Sequence, residues 1–177
     1  MRIRKHTVGF SLIELLVSLV IVSVGVLGVA SLQIRSLQQN REAFFRAEAT
    51  YLANSIMDRI RANTAQVYSL PIDQAPIAAT TCLSTNCTSA QMASFDLAEW
   101  QCSIRSINEA GATYPICSQL GVTGALPLGS GRVTESLTTA NLFEVEVQWS
   151  TDSIATLCGS RTASQPACQS TVVQSRL

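Results

Sequence analysis

Residues 9–14 read Gly-Phe-Ser-Leu-Ile-Glu, and they open an apolar stretch, residues 10–32, in which Glu14 is the only charge. Because a helix rises about 1.5 Å per residue, this stretch is long enough to cross the hydrocarbon core of a bilayer, which is about 30 Å thick. Three cations precede the stretch, and Arg35 alone lies close behind it. This bias predicts a cytoplasmic N-terminus and, in a Gram-negative cell, a periplasmic remainder of the chain.

Glu14 decides between three interpretations of the stretch. An ordinary signal peptide, cleaved near Gly28-Val29-Ala30, has a shorter apolar region of about 7–15 residues. A plain membrane anchor gains nothing from a carboxylate, which costs on the order of 2.5–3.5 kcal/mol at the bilayer centre and less near the end, where Glu14 lies. An acid in such a segment is therefore expected to be functional and to have a partner.

The third interpretation supplies that partner, because residues 9–14 resemble the prepilin cleavage motif, at which a peptidase cuts after the glycine and the new amine is methylated. The resemblance implies that residues 1–9 are a leader peptide and that Phe10 is the N-methylated mature N-terminus, with the cut after Gly9. A carboxylate at Glu14 is able to neutralise the amine of a neighbouring subunit. At low dielectric this pair is strong enough to set the axial register of an assembly.

The helix is expected to continue beyond the membrane as far as Ala62-Asn63, since Pro71 follows soon after. Apolar residues recur there at helical spacing and form one stripe: Phe45, Ala49, Leu52, Ala53, Ile56 and Ile60. We interpret the stripe as core contact with a head domain, in preference to a partner-binding face. Gly25 and Gly28 fit either close packing or local unwinding. The predicted organisation is a leader (1–9), a long helix (10–63) and a globular head (64–177).

Charge and composition exclude several function classes. His6 is the only histidine and Lys5 the only lysine, and both lie in the expected leader. The mature chain would therefore lack His-based catalysis, Schiff-base chemistry and His-containing zinc sites, so no enzyme activity, metal or cofactor is expected. Residues 64–177 carry four arginines against eight acids, a net charge of −4, whereas a nucleic-acid surface needs the opposite sign.

All six cysteines lie in the expected head: Cys82, Cys87, Cys102, Cys117, Cys158 and Cys168. An even count in a periplasmic domain favours disulfides over zinc, which usually binds cysteines at shorter spacing. Six cysteines allow fifteen connectivities. Loop closure favours neighbours, which predicts Cys82–Cys87, Cys102–Cys117 and Cys158–Cys168.

The head is predicted to be α+β. An irregular loop occupies residues 64–93, and Ser94 is expected to cap a short helix that ends near Ile107. Three strands follow, at residues 132–136, 142–150 and 169–176, and the middle strand alternates strongly between apolar and polar residues. The expected fold is a long helix packed on a small antiparallel sheet, with loops stapled by disulfides.

Two further sets of head residues invite a functional interpretation. Trp100 and Trp149 could line a ligand site, but their positions on amphipathic elements favour the core. Asp96 and Glu99 form a carboxylate pair near the expected start of the short helix, where they would complement the helix dipole. A metal or acid–base role is disfavoured because no third ligand type lies nearby in the sequence.

The chain resembles the PilV-type minor pilins, also called type IV pilus modification proteins. Beyond residues 9–14, the resemblance is carried by residues 25–33, 52–53, 58–63, 96–100, 126–131 and 145–149, in the order that family has them. It implies the type IV pilin fold and a low-abundance subunit that primes pilus assembly. The implied partners are prepilin peptidase, the inner-membrane assembly platform, the major pilin and the other minor pilins of a tip complex, with a large adhesin above them.

Two other functions stay open at this stage. A minor pseudopilin of a type II secretion system would have the same N-terminus, although the six cysteines and residues 58–63 argue against it. A DNA-uptake receptor pilin would use the five arginines from Arg35 to Arg61, but the acidic head argues against that. The sequence therefore favours an inner-membrane precursor that becomes part of an extracellular pilus.

Overall fold

The computed structural model describes residues 9, 11–77, 81–136, 142–151 and 168–176. Within these ranges the chain forms three helices and three strands: α1 (Leu12–Ala62), α2 (Ser89–Ile104), α3 (Pro115–Leu120), β1 (Ser130–Glu135), β2 (Leu142–Ser150) and β3 (Cys168–Arg176). The chain divides into two compact units, Met1–Arg41 and Glu42–Leu177, and we refer to the second as the head unit. The long helix contributes to both units.

The 51-residue helix α1 ends at Ala62, which confirms the predicted end. The helix begins at Leu12 and not at the expected Phe10, because Ser11 is described and is not helical; Phe10 itself lies outside the described residues. The buried positions of α1 all fall in the head unit and follow the predicted stripe, with Met57 in addition: Ala49, Leu52, Ala53, Ile56, Met57 and Ile60. Phe45, the first position of the predicted stripe, is only partly buried.

The sheet is antiparallel with the strand order β1-β2-β3, so β2 is central. Val133, Val145 and Val173 lie side by side across the three strands and face the core, where they pack with the buried stripe of α1. The middle strand has the predicted bounds, while β1 begins two residues earlier than expected and β3 one residue earlier. Leu70 extends the sheet beyond β1 through paired backbone hydrogen bonds with Val133 of 2.9 and 3.0 Å.

The polar side of β2 is less exposed than its sequence alternation suggests. Glu146 and Gln148 point away from the valine layer, yet only 4% and 1% of their surface is exposed. Arg132 on β1 forms an ion pair with Glu146, and Gln148 Nε2 donates to Glu146 Oε1 at 2.6 Å. Burying a polar group costs free energy unless the group is hydrogen-bonded. Arg132 and Gln148 together provide partners for the Glu146 carboxylate.

The prediction for α2 is wrong at both ends. The helix begins at Ser89, so its N-cap lies six residues before the expected cap Ser94, and it ends at Ile104 rather than near Ile107. The actual N-cap is Thr88: its side chain accepts from the N–H of Gln91, whose own side chain accepts from the N–H of Thr88. This capping box, a Thr followed three residues later by a Gln, is a helix-start signal that lay within the segment assigned to a loop.

The helix α3 was not predicted, although its signals are present in the sequence. Pro115 occupies the first turn, where a missing N–H costs nothing, and Gly121 closes the helix with a φ of 66°. At six residues, α3 is too short to show a clear apolar period. Its buried residues, Ile116 and Cys117, pack against Ala98 and Cys102 of α2.

Both tryptophans lie in the core, as predicted, with Trp100 2% exposed and Trp149 fully buried. Trp100 Nε1 donates to the backbone oxygen of Leu52 at 2.8 Å, which joins α2 to α1. The indole also lies against Gly131 of β1, where an added Cβ would stand only 2.5 Å from Trp100 Cη2. Glycine at position 131 therefore lets α2 approach the sheet closely.

Two disulfides are described, Cys82–Cys87 and Cys102–Cys117, with Cα–Cα distances of 5.7 and 5.3 Å. They are two of the three pairings that loop closure favours. Cys168 is also disulfide-bonded, but Cys158, its expected partner, lies outside the described residues. The second disulfide is fully buried and ties α2 to α3.

Candidate functional site

The first part of α1 exposes a largely apolar surface. None of its side chains from Leu12 to Arg41 is buried, and large apolar residues such as Leu12, Ile21 and Leu27 are at least 66% exposed. The helix is long and apolar enough to cross a membrane. A surface of this kind is stable only in lipid or against other proteins.

Two of the three predicted processing and assembly residues are described. Gly9 is exposed, and Glu14 lies exposed in the first turn of α1, where its backbone N–H bonds to the carbonyl of Ser11 at 3.1 Å. Phe10 lies outside the described residues. The carboxylate of Glu14 is therefore accessible to a cation from another chain, and Glu14 is the only charged residue between Leu12 and Leu32.

A polar cluster in the head unit joins α1 to α2. Arg59 Nη1 donates to Asp96 Oδ1 at 3.0 Å and to Glu99 Oε2 at 2.7 Å. The buried Tyr68 hydroxyl donates to Asp96 Oδ2 at 2.7 Å, and Asn63 Nδ2 donates in turn to the Tyr68 hydroxyl at 3.2 Å. We call these five residues the Arg59 cluster. One cation thus bridges two carboxylates that lie one turn apart on α2.

Burial and charge shift the proton affinities of the Arg59 cluster. Burial tends to lower the pKa of Arg59, but hydrogen bonds and charge from Glu99 and Asp96 outweigh it and raise that pKa above its ordinary value. Burial, assisted by the bond to Asp96, raises the pKa of Tyr68 to about 12. Both groups therefore keep their protons at neutral pH, and the cluster works as a fixed structural clamp.

The helix-dipole interpretation of Asp96 and Glu99 is wrong. Because α2 begins at Ser89, neither residue lies in its first turn, and the first turn contains no acid. Their partner is Arg59, which is not among the apolar positions of the predicted α1 stripe. The sequence shows only an arginine near the end of α1 and two acids shortly before Trp100. That pattern is too weak to predict an ion pair between Arg59 and the two acids.

Two comparisons with known proteins bear on these features. Residues 31–98 match the family model of Type IV pilin Tt1218. The matched residues run from the second part of α1, through the loop that follows, into α2. Residues 9–30 match the prokaryotic N-terminal methylation motif, which spans Gly9, Glu14 and the exposed apolar surface. Together they support a type IV pilin. No curated protein and no solved structure matches the chain.

The architecture agrees with this assignment. The chain has a long N-terminal helix apolar enough for a membrane, a small antiparallel sheet and loops closed by disulfides. These features are consistent with the type IV pilin fold. The methylation motif and the apolar helix fit a pilin precursor anchored in a membrane. Pilins are structural subunits rather than enzymes, and they assemble with other pilins and with the pilus machinery.

The Arg59 cluster lies partly within the part of the chain that matches the Type IV pilin Tt1218 model. Residues 31–98 include Arg59, Asn63, Tyr68 and Asp96, while Glu99 lies one residue beyond. Among the residues that the structure describes, no group of three or more His, Cys, Asp or Glu side chains is placed to bind a metal ion. The arrangement is suited to holding helices together and offers no described centre for chemistry.

Proposed function

We propose that the chain is a minor pilin that helps to initiate assembly of a type IV pilus and forms a tip complex with other minor pilins. The precursor spans the inner membrane with its N-terminus in the cytoplasm and its head in the periplasm. Prepilin peptidase cleaves it after Gly9, Phe10 is methylated, and the assembly platform inserts it beside other minor pilins and the major pilin. A large adhesin above the tip complex completes the expected set of partners.

One observation carries the minor-pilin assignment: separate segments that resemble PilV-type pilins contact one another in the head. Arg59, from residues 58–63, pairs with Asp96 and Glu99 of residues 96–100. Trp100, from the same segment, bonds to the carbonyl of Leu52 and lies against Gly131 of residues 126–131. A resemblance scattered through the sequence thus converges on one packing unit, which supports a family likeness beyond the N-terminal motif.

Glu14 supports the assembly role. A carboxylate in an apolar surface is costly unless a cation meets it, and the cleaved, methylated amine of a neighbouring subunit supplies that cation. The pair forms only when cleavage after Gly9 has occurred and the subunits have the correct axial offset. Glu14 therefore links processing to assembly in this proposal.

The two alternative machines make different demands on the head. A type II secretion pseudopilin has the same N-terminal features, and the converging segments described above favour the pilus over it. A DNA-uptake receptor needs a cationic surface, whereas residues 64–177 carry a net charge of −4. Arg59 and Arg61, two of the arginines available to such a receptor, are paired with Asp96, Glu99 and Asp58.

The proposal is tested in cells that carry the intact gene, a deletion, or the deletion with a complementing copy. Quantitative mass spectrometry of sheared pili should find the chain at a small fraction of the major pilin, and the deletion should reduce the number of pili per cell. Abundance equal to the major pilin, or unchanged piliation together with a secretion defect, would contradict the proposal. A salt-dependent loss of DNA uptake alone would favour the receptor alternative.

A further inference from the structure

The head unit contains an apolar groove of about 680 Å³ that the proposed function does not use. One wall is the loop after α2, from Arg105 to Gly111, the other is the segment from Thr123 to Leu128, and Phe45 of α1 completes the lining. The volume lies within the range of about 300–1,000 Å³ that is typical of ligand-binding sites. Ile107, on the first wall, is 46% exposed, so the groove presents apolar surface to solvent.

Both walls of the groove are held in place. The buried disulfide Cys102–Cys117 brackets the first wall, and the N–H of Asn108 and the carbonyl of Ala112 bond across its turn at 2.8 Å. The second wall is hydrogen-bonded to the first wall, because the Gly124 N–H donates to Ser106 Oγ at 3.0 Å. A groove that is already ordered loses little conformational entropy on binding, which favours affinity.

Leu128 is a second sign that the groove is not incidental. Its φ of 50° lies in the left-handed region, which costs a residue other than glycine on the order of 1–2 kcal/mol. Backbone strain of this kind persists mainly where the surrounding structure or a function requires it. At position 128 the left-handed conformation brings a leucine side chain, which a glycine would lack, to the lining of the groove.

The charges at the groove show which partner fits it. Arg105 is half-buried in the lining, and no ion pair or side-chain hydrogen bond joins its guanidinium to another described residue. Glu109, the acid of the lining, is exposed and therefore well solvated. An ion pair with the half-buried Arg105 is more favourable than one with the exposed Glu109, because water screens an exposed charge. The groove therefore favours a partner with an apolar group beside a carboxylate.

We propose that this groove docks another subunit of the same filament, through a segment that inserts one large apolar side chain and pairs an Asp or Glu with Arg105. The inference rests on the proposed function, because a filament subunit needs contacts between heads in addition to contacts between apolar helices. The apolar anchor supplies affinity in the ordered groove, and the ion pair to Arg105 sets the orientation of the partner. The contact is heterologous, since the groove and the inserted segment are different surfaces.

The test uses the full chain expressed in its piliated host, with photoreactive benzoylphenylalanine at Ile107 in the groove. A matched probe at Leu83, which is 72% exposed on the other disulfide loop, serves as the control position. We expect irradiation to join the Ile107 probe to a second pilin subunit, at a peptide with a large apolar residue within one helical turn of an acid. Arg105→Glu should reduce the crosslinked fraction about tenfold, whereas Arg105→Lys and Glu109→Gln should retain it.

Several outcomes overturn the docking inference. These are a crosslink to lipid or another small amphiphile, a crosslinked peptide without an acid, equal yields from the two probe positions, and a yield that Arg105→Glu leaves unchanged. The assembly role is scored separately, by recovery of the chain in sheared pili. Normal recovery with no groove crosslink defeats the docking inference alone, while absence from pili defeats both.

Discussion

At the scale of single residues, a few charged groups account for much of the behaviour expected of this protein. Glu14 is exposed and has no ion pair with another described residue, whereas Arg59 pairs with two acids, Asp96 and Glu99. The first arrangement suits contact between subunits and the second suits stability within one subunit. Substitutions at the two positions should therefore affect different measurements.

Replacing Glu14 by Val should leave cleavage after Gly9 largely intact and impair entry into filaments. The reason is that the methylated amine of a neighbour then lies unpaired in an apolar environment. Immunoblots of membranes and sheared pili measure both steps. Normal incorporation of the Glu14→Val protein would show that axial register is set elsewhere, and a mild effect would favour a tip position, which lacks one neighbour.

Replacing Arg59 by Met should lower the free energy of unfolding by about 1–3 kcal/mol, because two partly buried carboxylates lose their shared cation. Arg61→Met is the matched control, since Arg61 lies two residues away and pairs with the exposed Asp58 at 2.6 Å. Exposed pairs contribute about 0–1 kcal/mol, so the control should change stability little. Denaturant unfolding of the full chain in detergent compares the two, and equal losses would contradict the clamp role.

Tyr68 predicts a loss of stability at high pH. Its pKa is raised to about 12 in the folded head, whereas an unfolded tyrosine titrates near 10. Below pH 10 both states are protonated and the contribution of Tyr68 is fully present, but it is lost as pH rises from 10 through 12. Tyr68→Phe should therefore flatten the decline of unfolding free energy between pH 9 and 12, measured relative to wild type. A decline of unchanged steepness would locate the titration elsewhere.

At the scale of helices and strands, the two described disulfides should differ in their contribution. Cys102–Cys117 closes the longer loop and both of its residues are fully buried, whereas Cys82–Cys87 closes a loop of five residues beside an exposed Leu83. Chain entropy gives about 3 kcal/mol for the longer loop and about 2 kcal/mol for the shorter one. Paired Cys→Ala variants, compared by thermal unfolding, should rank in that order. The reverse order would indicate that the short loop stabilises the head in some other way.

The middle strand β2 and the buried stripe of α1 were predictable from sequence because each has a strong period of apolar residues. Phe143, Val145, Val147 and Trp149 alternate without exception, and the α1 stripe recurs over several turns. The start of α2 was missed because its capping box, Thr88 and Gln91, lies in a segment rich in Thr, Ser and Ala that also suits an irregular loop. The Arg59 cluster was missed because pairing across 37 residues depends on how α1 and α2 pack, which no local pattern encodes. The groove was missed for the same reason.

At the scale of the whole molecule, the proposed cleavage after Gly9 decides which residues enter the filament. The mature chain should begin at methylated Phe10, so that its first tryptic peptide runs from Phe10 to Arg35, because no lysine lies after the leader. Mass spectrometry of that peptide from pili should show one added methyl group. Recovery of an intact Met1, or of a chain that starts after Ala30, would refute the prepilin interpretation.

The burial of both tryptophans has a practical consequence for spectroscopy. Trp100 and Trp149 are the two tryptophans of the chain, and both lie in the head core, while the exposed apolar part of α1 contains neither. Intrinsic fluorescence therefore reports on the head alone, with blue-shifted emission when native and a red shift once water reaches the indoles. Far-ultraviolet circular dichroism is instead weighted toward the 51-residue helix. Following both signals in one titration distinguishes unfolding of the head from loss of helix in the exposed apolar part of α1.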